Sequence, residues 1–508
     1  MLAGAALGVA FLTPALGGLV CVGFVPLLAA LGQAARGPRP VRRAFGLGWL
    51  TGLVFYAIGA HWLLSLNEVA ITVPWLKYPG WLLAAAYLGL FAGGASAAAV
   101  ALHRRSGAPL AVTFALAWLI GEELRGAGDL GFPWFQPGYA LADFTPLIQL
   151  ASLGSVTLLT LWVVAINGVI HRALESWPER PRRLAPLVTL ALMIALPLAW
   201  GSAVLRARLP ERKARERVAL VQPNIPGEIK WGGQHADEIL AKLARLTEQA
   251  TAATPRPVVA IWPETATGSY LRRRLDQSLF VSRLAQQVGV PIFSGFPEAR
   301  LGRDGAPLYE NAAGMFPGDG ELPETYAKQH LVPFGERMPY EHLVPALRNV
   351  QLGQAEWSRG TRWTLFPTAA GPFACLICFE SIFPGHARRF VRSGATWLVN
   401  ITNDEWFGPG AALTQHAAMA CFRAVEHHVP LARVANTGLT RMIDANGRVV
   451  ATLEPWQEGV LDVALPPAGP TTWYTRLGDW PGLLAALGIA LLVARSFARR
   501  RSEAVVRD

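Results

Sequence analysis

Residues 373–381 read FACLICFES, an unbroken apolar run that stops at Glu380 and Ser381. A run this short, entered through Gly371-Pro372 and ended by a charge, fits a strand buried on both faces. Similar runs stand at VALVQPN (218–224), VVAIWPE (258–264), VPIFSGF (290–296), TWLVNITND (396–404) and PLARVAN (430–436). Between them the apolar spacing becomes helical. HADEILAKLARLTEQATAA (235–253) repeats at Ile239, Leu240, Leu243, Leu246 and Ala250, and SLFVSRLAQQVG (278–289) and LTQHAAMACFRAVEHH (413–428) behave likewise. RMIDANGRVVAT (441–452) predicts a hairpin turning at Ala-Asn-Gly. Alternation of this kind predicts an α/β layered domain over 218–464.

The rest of the chain is different. Of 508 residues, 52 % are apolar and 16 % charged, where an average soluble domain carries roughly 25 % charged residues. The first 205 residues hold 12 Lys/Arg and 7 Asp/Glu; the remaining 303 hold 34 and 28. A membrane span needs about 20 mainly apolar residues. Spans are predicted at 2–17, 19–35, 45–66, 80–102, 108–124, 146–170 and 184–204, with another at 479–497. Only Gly17 and Gly18 separate the first two, which are therefore a tight hairpin or one long broken helix. No basic segment or cleavage site follows Met1, so no removable signal peptide is expected. Three parts follow: a membrane domain at 1–205 with about seven spans, a globular domain at 206–475, and a final span with a basic tail at 476–508.

Arginines follow the second, fourth, sixth and eighth spans (Arg36, Arg39, Arg42 and Arg43; Arg104 and Arg105; Arg172, Arg180, Arg182 and Arg183; ARRRSEAVVRD). The intervening loops carry Glu68 and Lys77, then Glu122, Glu123, Arg125, Asp129 and Asp143. The positive-inside rule puts both termini in the cytoplasm and the globular domain outside. RARLPERKARER (206–217), with six basic residues, runs against this, but long translocated domains largely escape the rule. The 50 Gly and 38 Pro show no period, which excludes collagen, and four cysteines (Cys21, Cys375, Cys378, Cys421) are too few for a disulfide framework. The net charge of +11 is spread beside apolar runs, not along a stripe with stacking aromatics, so no nucleic-acid partner is expected.

Polar residues gather where the strand runs end: Glu264, Cys378 with Glu380, and Asn403 with Asp404. Open α/β sheets place ligand groups there. Cys378 is the candidate nucleophile, since a thiolate attacks carbonyl carbon well; a lone Cys in an apolar run is more often packed filling. Cys375-x-x-Cys378 also invites a redox or zinc reading. In a strand, residues three apart face opposite ways with Cα atoms roughly 10 Å apart, beyond the ~7 Å reach of a disulfide. No second Cys pair or spaced His pair completes a metal site. Glu264, after Trp262-Pro263, is either a proton-transfer carboxylate desolvated by the indole or a solvated loop residue. Lys328, in YAKQHLVPFGERMPY (326–340), is either an oxyanion partner or a surface lysine. Glu336 is placed to pair with Lys328 or relay protons. His330 is a base or a packed histidine, and His427-His428 read as a helix C-terminus favoured by the dipole.

WPE at 262–264, YAKQHLVPFGE at 326–336 and CFES at 378–381 resemble the three catalytic motifs of the nitrilase (carbon–nitrogen hydrolase) superfamily. Their separations, 64 and 50 residues from Glu264 to Lys328 to Cys378, suit that fold. VALVQPNIPGEIKW (218–231), HLVPFGE (330–336), NITNDEWFG (400–408) and GFPWFQPGY (131–139), with the span layout, resemble the apolipoprotein N-acyltransferase family over nearly the whole chain. The resemblance implies a polytopic α-helical membrane domain plus an α/β nitrilase-like αββα sandwich. It implies that a phospholipid acyl group passes to the N-terminal amine of an S-diacylglyceryl-cysteine apolipoprotein at the bacterial cytoplasmic (inner) membrane, with the catalytic domain periplasmic. It implies Cys378 as the nucleophile forming an acyl-thioester, Glu264 as general base and acid, and Lys328 as stabiliser of the tetrahedral intermediates. Glu336 and Glu380 match further active-site glutamates, Asn311 of YENAAG matches a family asparagine, and Trp231 matches a tryptophan on a mobile arm near the acyl site. The implied partners are the phospholipid donor, the diacylated acceptor and the bilayer; no cofactor or metal is implied, and a monomer is expected.

Three positions depart from the family pattern: Gln329 where an arginine is usual, Phe379 for a tyrosine, and Glu405 for a small residue. None is in the triad. A site at the bilayer surface gives two lipid-anchored substrates a high effective concentration, and aminolysis outruns hydrolysis only in a dry pocket. The basic 206–217 segment is either an attractor of lipid phosphates or a positively flanked helix end. A membrane-tethered amidase using the same triad, and a non-enzymatic transporter or scaffold, are the alternatives.

Overall fold

The computed structural model describes residues 1–66, 73–177, 184–207, 216–302, 305–319, 324–349 and 356–505. Most of the basic 206–217 segment lies outside them. The chain divides into two compact units. One holds Met1–Leu64, Trp75–Ala207 and Arg476–Asp508; the other holds Ser65–Pro74 and Arg208–Thr475.

In the second unit the described strands are β1 (Arg217–Gln222), β2 (Ala260–Ile261), β3 (Ile292–Leu301), β4 (Pro307–Phe316), β5 (Thr325–Ala327), β6 (Leu365–Phe366), β7 (Phe373–Ile377), β8 (Trp397–Thr402), β9 (Leu431–Ala435), β10 (Thr440–Ile443), β11 (Val449–Leu453) and β12 (Gly459–Ala464). They form two six-stranded sheets, ordered β12-β1-β2-β3-β4-β5 and β11-β10-β9-β8-β7-β6. Each has a parallel centre, β1-β2-β3 and β7-β8-β9, flanked by antiparallel pairs. The inner faces meet at aromatic contacts, with Phe293 of β3 against Phe366 and Phe373 at 4.8 and 4.9 Å between centroids. Helices Ala236–Thr251 and Leu275–Val288 cover the first sheet, sharing a core with Val221, Trp262 and Phe296. Helices Pro384–Arg392 and Ala411–His427 pack against β7 and β9 of the second. The result is a helix–sheet–sheet–helix sandwich. Every residue of β7, β8 and β9 is buried, which is why these strands read as continuous apolar runs.

Three details depart from the sequence expectation, each with a local cause. VVAIWPE is regular strand only at Ala260–Ile261; backbone bonds continue through Trp262 N to Phe293 O at 2.8 Å, and Pro263 then has no N–H to offer the ladder. FACLICFE leaves the strand at Ile377, because Cys378 turns to φ +50° and opens a short 3-10 helix, Cys378–Ile382. His427 ends its helix as expected, but not through charge. Burial pushes its pKa well below the ordinary value, and the neutral ring hydrogen-bonds the Thr475 hydroxyl at 2.7 Å.

Among the described residues, five helices are long and apolar enough to cross a membrane: Pro14–Arg36, Pro74–Ser106, Ala151–Glu175, Leu184–Arg206 and Trp480–Arg499. The segment expected as a span at 2–17 is α-helical only over Leu2–Val9, about 12 Å of rise, and resumes as the 3-10 helix Pro14–Leu19. The break falls at 10–13, before Thr13 and Pro14, and not at Gly17-Gly18. Helices Pro40–Gly59 and Leu110–Arg125 cover the other expected spans. The first begins with Arg42 and Arg43 in its opening turn; the second is only 16 residues long.

Backbone breaks at membrane depth need internal partners, and these are present. Asn167, fully buried, accepts from Phe24 N and donates to the Val20 and Val163 carbonyls, each at 2.8 Å. The helix Ala151–Glu175 is interrupted at Gly154 and Ser155, where the Trp480 indole donates to Leu153 O at 2.7 Å. Buried Arg125 pairs with Glu122 and donates to Phe132 O, tying down the segment that carries GFPWFQPGY.

Candidate active site

Glu264 follows β2, Asn311 lies in β4, Lys328 follows β5, Cys378 follows β7 and Asn403 follows β8. The two sheets therefore deliver their strand ends to one place. Gly295 of β3 makes room for the first of them: a Cβ there would lie 2.8 Å from Glu264 Cα.

The Glu264 carboxylate is held on both oxygens. Oε1 accepts from Asn311 Nδ2 at 2.7 Å and from Lys328 Nζ at 3.4 Å, while Oε2 accepts from the Asn403 backbone N–H at 2.9 Å. It is 4 % exposed. The indole of Trp262 is not its neighbour in this network; it donates to Thr247 Oγ1 inside the helix-covered core. Lys328 is 1 % exposed and sits between two carboxylates, donating to Glu336 Oε1 at 2.8 Å. Burial disfavours its ammonium, but Glu336 and Glu264 outweigh burial and hold its pKa above the ordinary lysine value. Asn311 also donates to Glu336 Oε1 at 3.2 Å, so one amide bridges both carboxylates.

Cys378 is 7 % exposed and free. Burial first, and Glu264 second, push its thiol pKa up, with Lys328 acting against them and the Thr402 hydroxyl in hydrogen-bond reach. The resting sulfur is therefore a thiol, and attack requires a base to remove its proton. Cys375 sits within β7 and is also free. Among the described residues no group of three or more His, Cys, Asp or Glu is arranged to hold a metal.

Glu336 joins the triad's network directly, as does Asn311. Glu380 does not. It is fully buried, and its Oε1 accepts from the Tyr326 hydroxyl at 2.7 Å and Gln329 N at 2.6 Å, while Oε2 accepts from Ile377 N at 2.8 Å. It thus ties the lysine segment to the cysteine turn. His330 stacks on Phe383 at 4.2 Å, and burial lowers its pKa to about 4; it is a packed ring. Trp231 ends the helix Gly227–Trp231 and is 39 % exposed. Its neighbour Lys230 comes closer: 2 % exposed, its ammonium reaches Glu264 O at 3.4 Å and Thr265 Oγ1 at 3.3 Å. Burial pulls its pKa down to about 8 against Glu264 and Glu405. The departing Glu405 accepts from Gly227 N at 2.9 Å, at the other end of the same short helix. Sequence reading missed Lys230, because a lysine before a tryptophan carries no signal of its burial. It also passed over the Asn403 N–H, a backbone group with no side-chain signature.

Comparison with known proteins identifies both parts of the chain. Residues 217–474 match the carbon-nitrogen hydrolase family and residues 3–169 the apolipoprotein N-acyltransferase N-terminal domain. An apolipoprotein N-acyltransferase of Geobacter metallireducens is 34 % identical over 511 residues, covering 98 % of this chain and 95 % of that one. The Bradyrhizobium diazoefficiens protein of the same name is 36 % identical over 427 residues, covering 82 % and 79 %. The Chlorobaculum tepidum one is 31 % identical over 533 residues, covering 97 % and 95 %. A sandwich of hydrolase type, five membrane-length helices and full-length similarity converge on one conclusion: this chain belongs to the apolipoprotein N-acyltransferase family of multi-pass inner-membrane enzymes.

Proposed function

We propose that the protein transfers an acyl chain from a phospholipid to the N-terminal amine of S-diacylglyceryl-cysteine on apolipoproteins, in two half-reactions through a Cys378 thioester. The observation that carries this reading is the buried Glu264–Lys328–Glu336 network at the strand ends beside Cys378, within a chain that also carries membrane-length helices. In the first half-reaction Glu264 takes the thiol proton as sulfur attacks the ester carbonyl. Lys328 donates to the resulting oxyanion, where a preorganised donor is worth about 3–4 kcal/mol. Collapse breaks the C–O bond, and Glu264 returns the proton to the departing lysophospholipid oxygen. In the second, the acceptor amine attacks the thioester and Glu264 takes its proton; the C–S bond breaks and the thiol is regenerated. Glu336 keeps Lys328 charged throughout, and Asn311 holds both carboxylates in register. Trp231 and Glu380 act at the edge of this machinery, the first toward the acyl chain, the second by fixing the turn.

The three-part division at 205 and 475, the periplasmic placement of the catalytic domain and the cytoplasmic termini belong to the same proposal. The charge asymmetry of the loops supports them, as does the chemistry, since a lipoprotein N-terminus is displayed outside.

The test is an incubation of the purified protein with phospholipid, followed by mass spectrometry of the tryptic peptide containing Cys378. An acyl mass on that peptide, discharged by a diacylated lipopeptide and absent from Cys378→Ala, is expected. Release of ammonia from small amides with no lipid requirement and no adduct would instead identify an amidase.

A further inference from the structure

Asp404, from the NITNDEWFG stretch, takes no part in the steps above, yet it is fully buried beside two other buried charged or titratable groups. Arg433 of β9 donates from one guanidinium nitrogen to Asp404 Oδ2 at 2.9 Å and approaches His416 Nδ1 at 3.0 Å. The Thr402 hydroxyl donates to Asp404 Oδ1 at 2.8 Å. His416 is 1 % exposed on the helix Ala411–His427, with Phe407 edge-on to its ring at 5.9 Å. Its Nε2 lies 3.2 Å from the Cys378 carbonyl oxygen and 3.1 Å from Ser381 Oγ. Ser381 Oγ donates to that same carbonyl at 2.9 Å, and Asn400 Nδ2 stands 3.4 Å from it.

An arginine carries only donors. Nδ1 faces Arg433 at 3.0 Å and Asp404 Oδ1 at 3.2 Å, while the Cys378 carbonyl beside Nε2 can only accept; the tautomer with its proton on Nε2 satisfies both that carbonyl and the shorter contact with Arg433, so Nδ1 accepts. Burial lowers the His416 pKa, with Arg433 adding to the effect and Asp404 opposing it, so the ring is neutral. A neutral imidazole accepting at Nδ1 carries its proton at Nε2. That N–H points at the Cys378 carbonyl. Cys378 meanwhile stands at φ +50°, a region that is strained for a non-glycine residue and persists only where neighbours hold it. Its carbonyl, turned into a buried region, requires donors.

We propose that His416 is a positioning residue for the nucleophile: Arg433, anchored by Asp404, sets its tautomer, and its Nε2–H holds the Cys378 carbonyl so that the residue keeps the left-handed turn that presents its thiol. The inference rests on Cys378 being the nucleophile, and it adds a second layer behind the Glu264–Lys328 network. Its two ends lie in different elements, β9 and the helix Ala411–His427, so packing between these sets the geometry of the cysteine.

The test follows alkylation of Cys378 by iodoacetamide in the full-length protein, read by mass on its tryptic peptide, beside phospholipid acylation of the same sulfur. His416→Leu removes the donor and is expected to slow both reactions by about tenfold, the value of one hydrogen bond of ordinary strength. His416→Gln restores an N–H donor and is expected to recover both rates to within about threefold of wild type, while KM for phospholipid stays unchanged in each. A folded His416→Leu protein reacting at the wild-type rate, or a His416→Gln protein as slow as His416→Leu, overturns the inference. Should His416→Leu fail to fold, His416→Phe keeps a ring in the same place without the donor, and an unchanged alkylation rate there overturns it equally. Alkylation needs no lipid. Wild-type protein that alkylates normally but never accepts an acyl chain would refute the acyltransferase reading and leave this one standing.

Discussion

Replacing Lys328 by methionine removes the cation that separates two buried carboxylates. Glu264 and Glu336 each accept from the same Asn311 amide nitrogen, at 2.7 and 3.2 Å, so their oxygens lie within about 6 Å of each other; at an effective dielectric constant of about 20 two like charges there repel by about 3 kcal/mol. That is about two pKa units. Without Lys328 nothing offsets that repulsion, and Glu264 is a less ready acceptor of the thiol proton. The acid limb of the Cys378 acylation profile should therefore move up by about two pH units. Loss of the oxyanion donor adds a drop of about 10²–10³ in the acylation rate at every pH. The assay is the mass-shift reaction with phospholipid, quenched at intervals between pH 5 and 9. The double variant Lys328→Met/Glu336→Gln separates the two effects: removing one carboxylate relieves the repulsion and returns the acid limb, but leaves the rate low. Near-wild-type acylation by Lys328→Met at pH 7 would refute the reasoning, and so would a double variant whose pH limb stays where the single one put it.

Two further outcomes concern stability. Burial opposes the charge on Asp404, but Arg433, helped by the Thr402 hydroxyl, outweighs it and holds its carboxyl at about 2, below the ordinary 3.8. A depressed carboxyl pKa stabilises above its unfolded value and loses that contribution as pH falls through the folded one, so about 2 kcal/mol disappears between pH 4 and pH 2. Asp404→Asn should flatten this acid loss while lowering the midpoint at pH 7, where Arg433 loses its partner; tryptophan fluorescence during thermal unfolding reads both, and parallel pH profiles would count against it. In the membrane unit, a Cβ on Gly201 would meet Pro146 O at 1.7 Å, whereas one on Gly94 would meet nothing within 4 Å. Gly201→Leu should therefore lower the melting midpoint in detergent by the equivalent of roughly 3 kcal/mol, and Gly94→Leu should not; equal shifts would show that the close approach is unimportant.

The residue pattern alone determined a good deal here. Largely apolar runs marked β1, β7, β8 and β9 because both faces of those strands are covered, and the polar exceptions such as Asn400 and Arg433 find buried partners. Helical spacing marked Ala236–Thr251, Leu275–Val288 and Ala411–His427 for the complementary reason: one face is buried and one wet. Three short motifs in order named Glu264, Lys328 and Cys378. Where the pattern failed, chemistry had overridden it. Strand β4 was passed over since its LYENAAG carries Glu310 and Asn311 where a strand interior reads apolar; Asn311 belongs to the site, and Glu310 pairs with Arg300. The opening span was misjudged because hydropathy sums over residues without registering that Thr13 and Pro14 restart the helix.

Only the tertiary structure decided which polar groups meet. Hydrogen bonds across separations of 25 to 139 residues bring Asn311, Glu336 and the Asn403 N–H onto Glu264 and its neighbours. It turned Glu380 away from the sulfur and into a tie between two segments, buried Lys230 against the base, and aligned Arg433, Asp404 and His416 behind the cysteine. Local sequence encodes which face of an element avoids water, because that preference is a property of each side chain. It does not encode which buried charge finds which donor, because that depends on how two sheets and their helices close on one another.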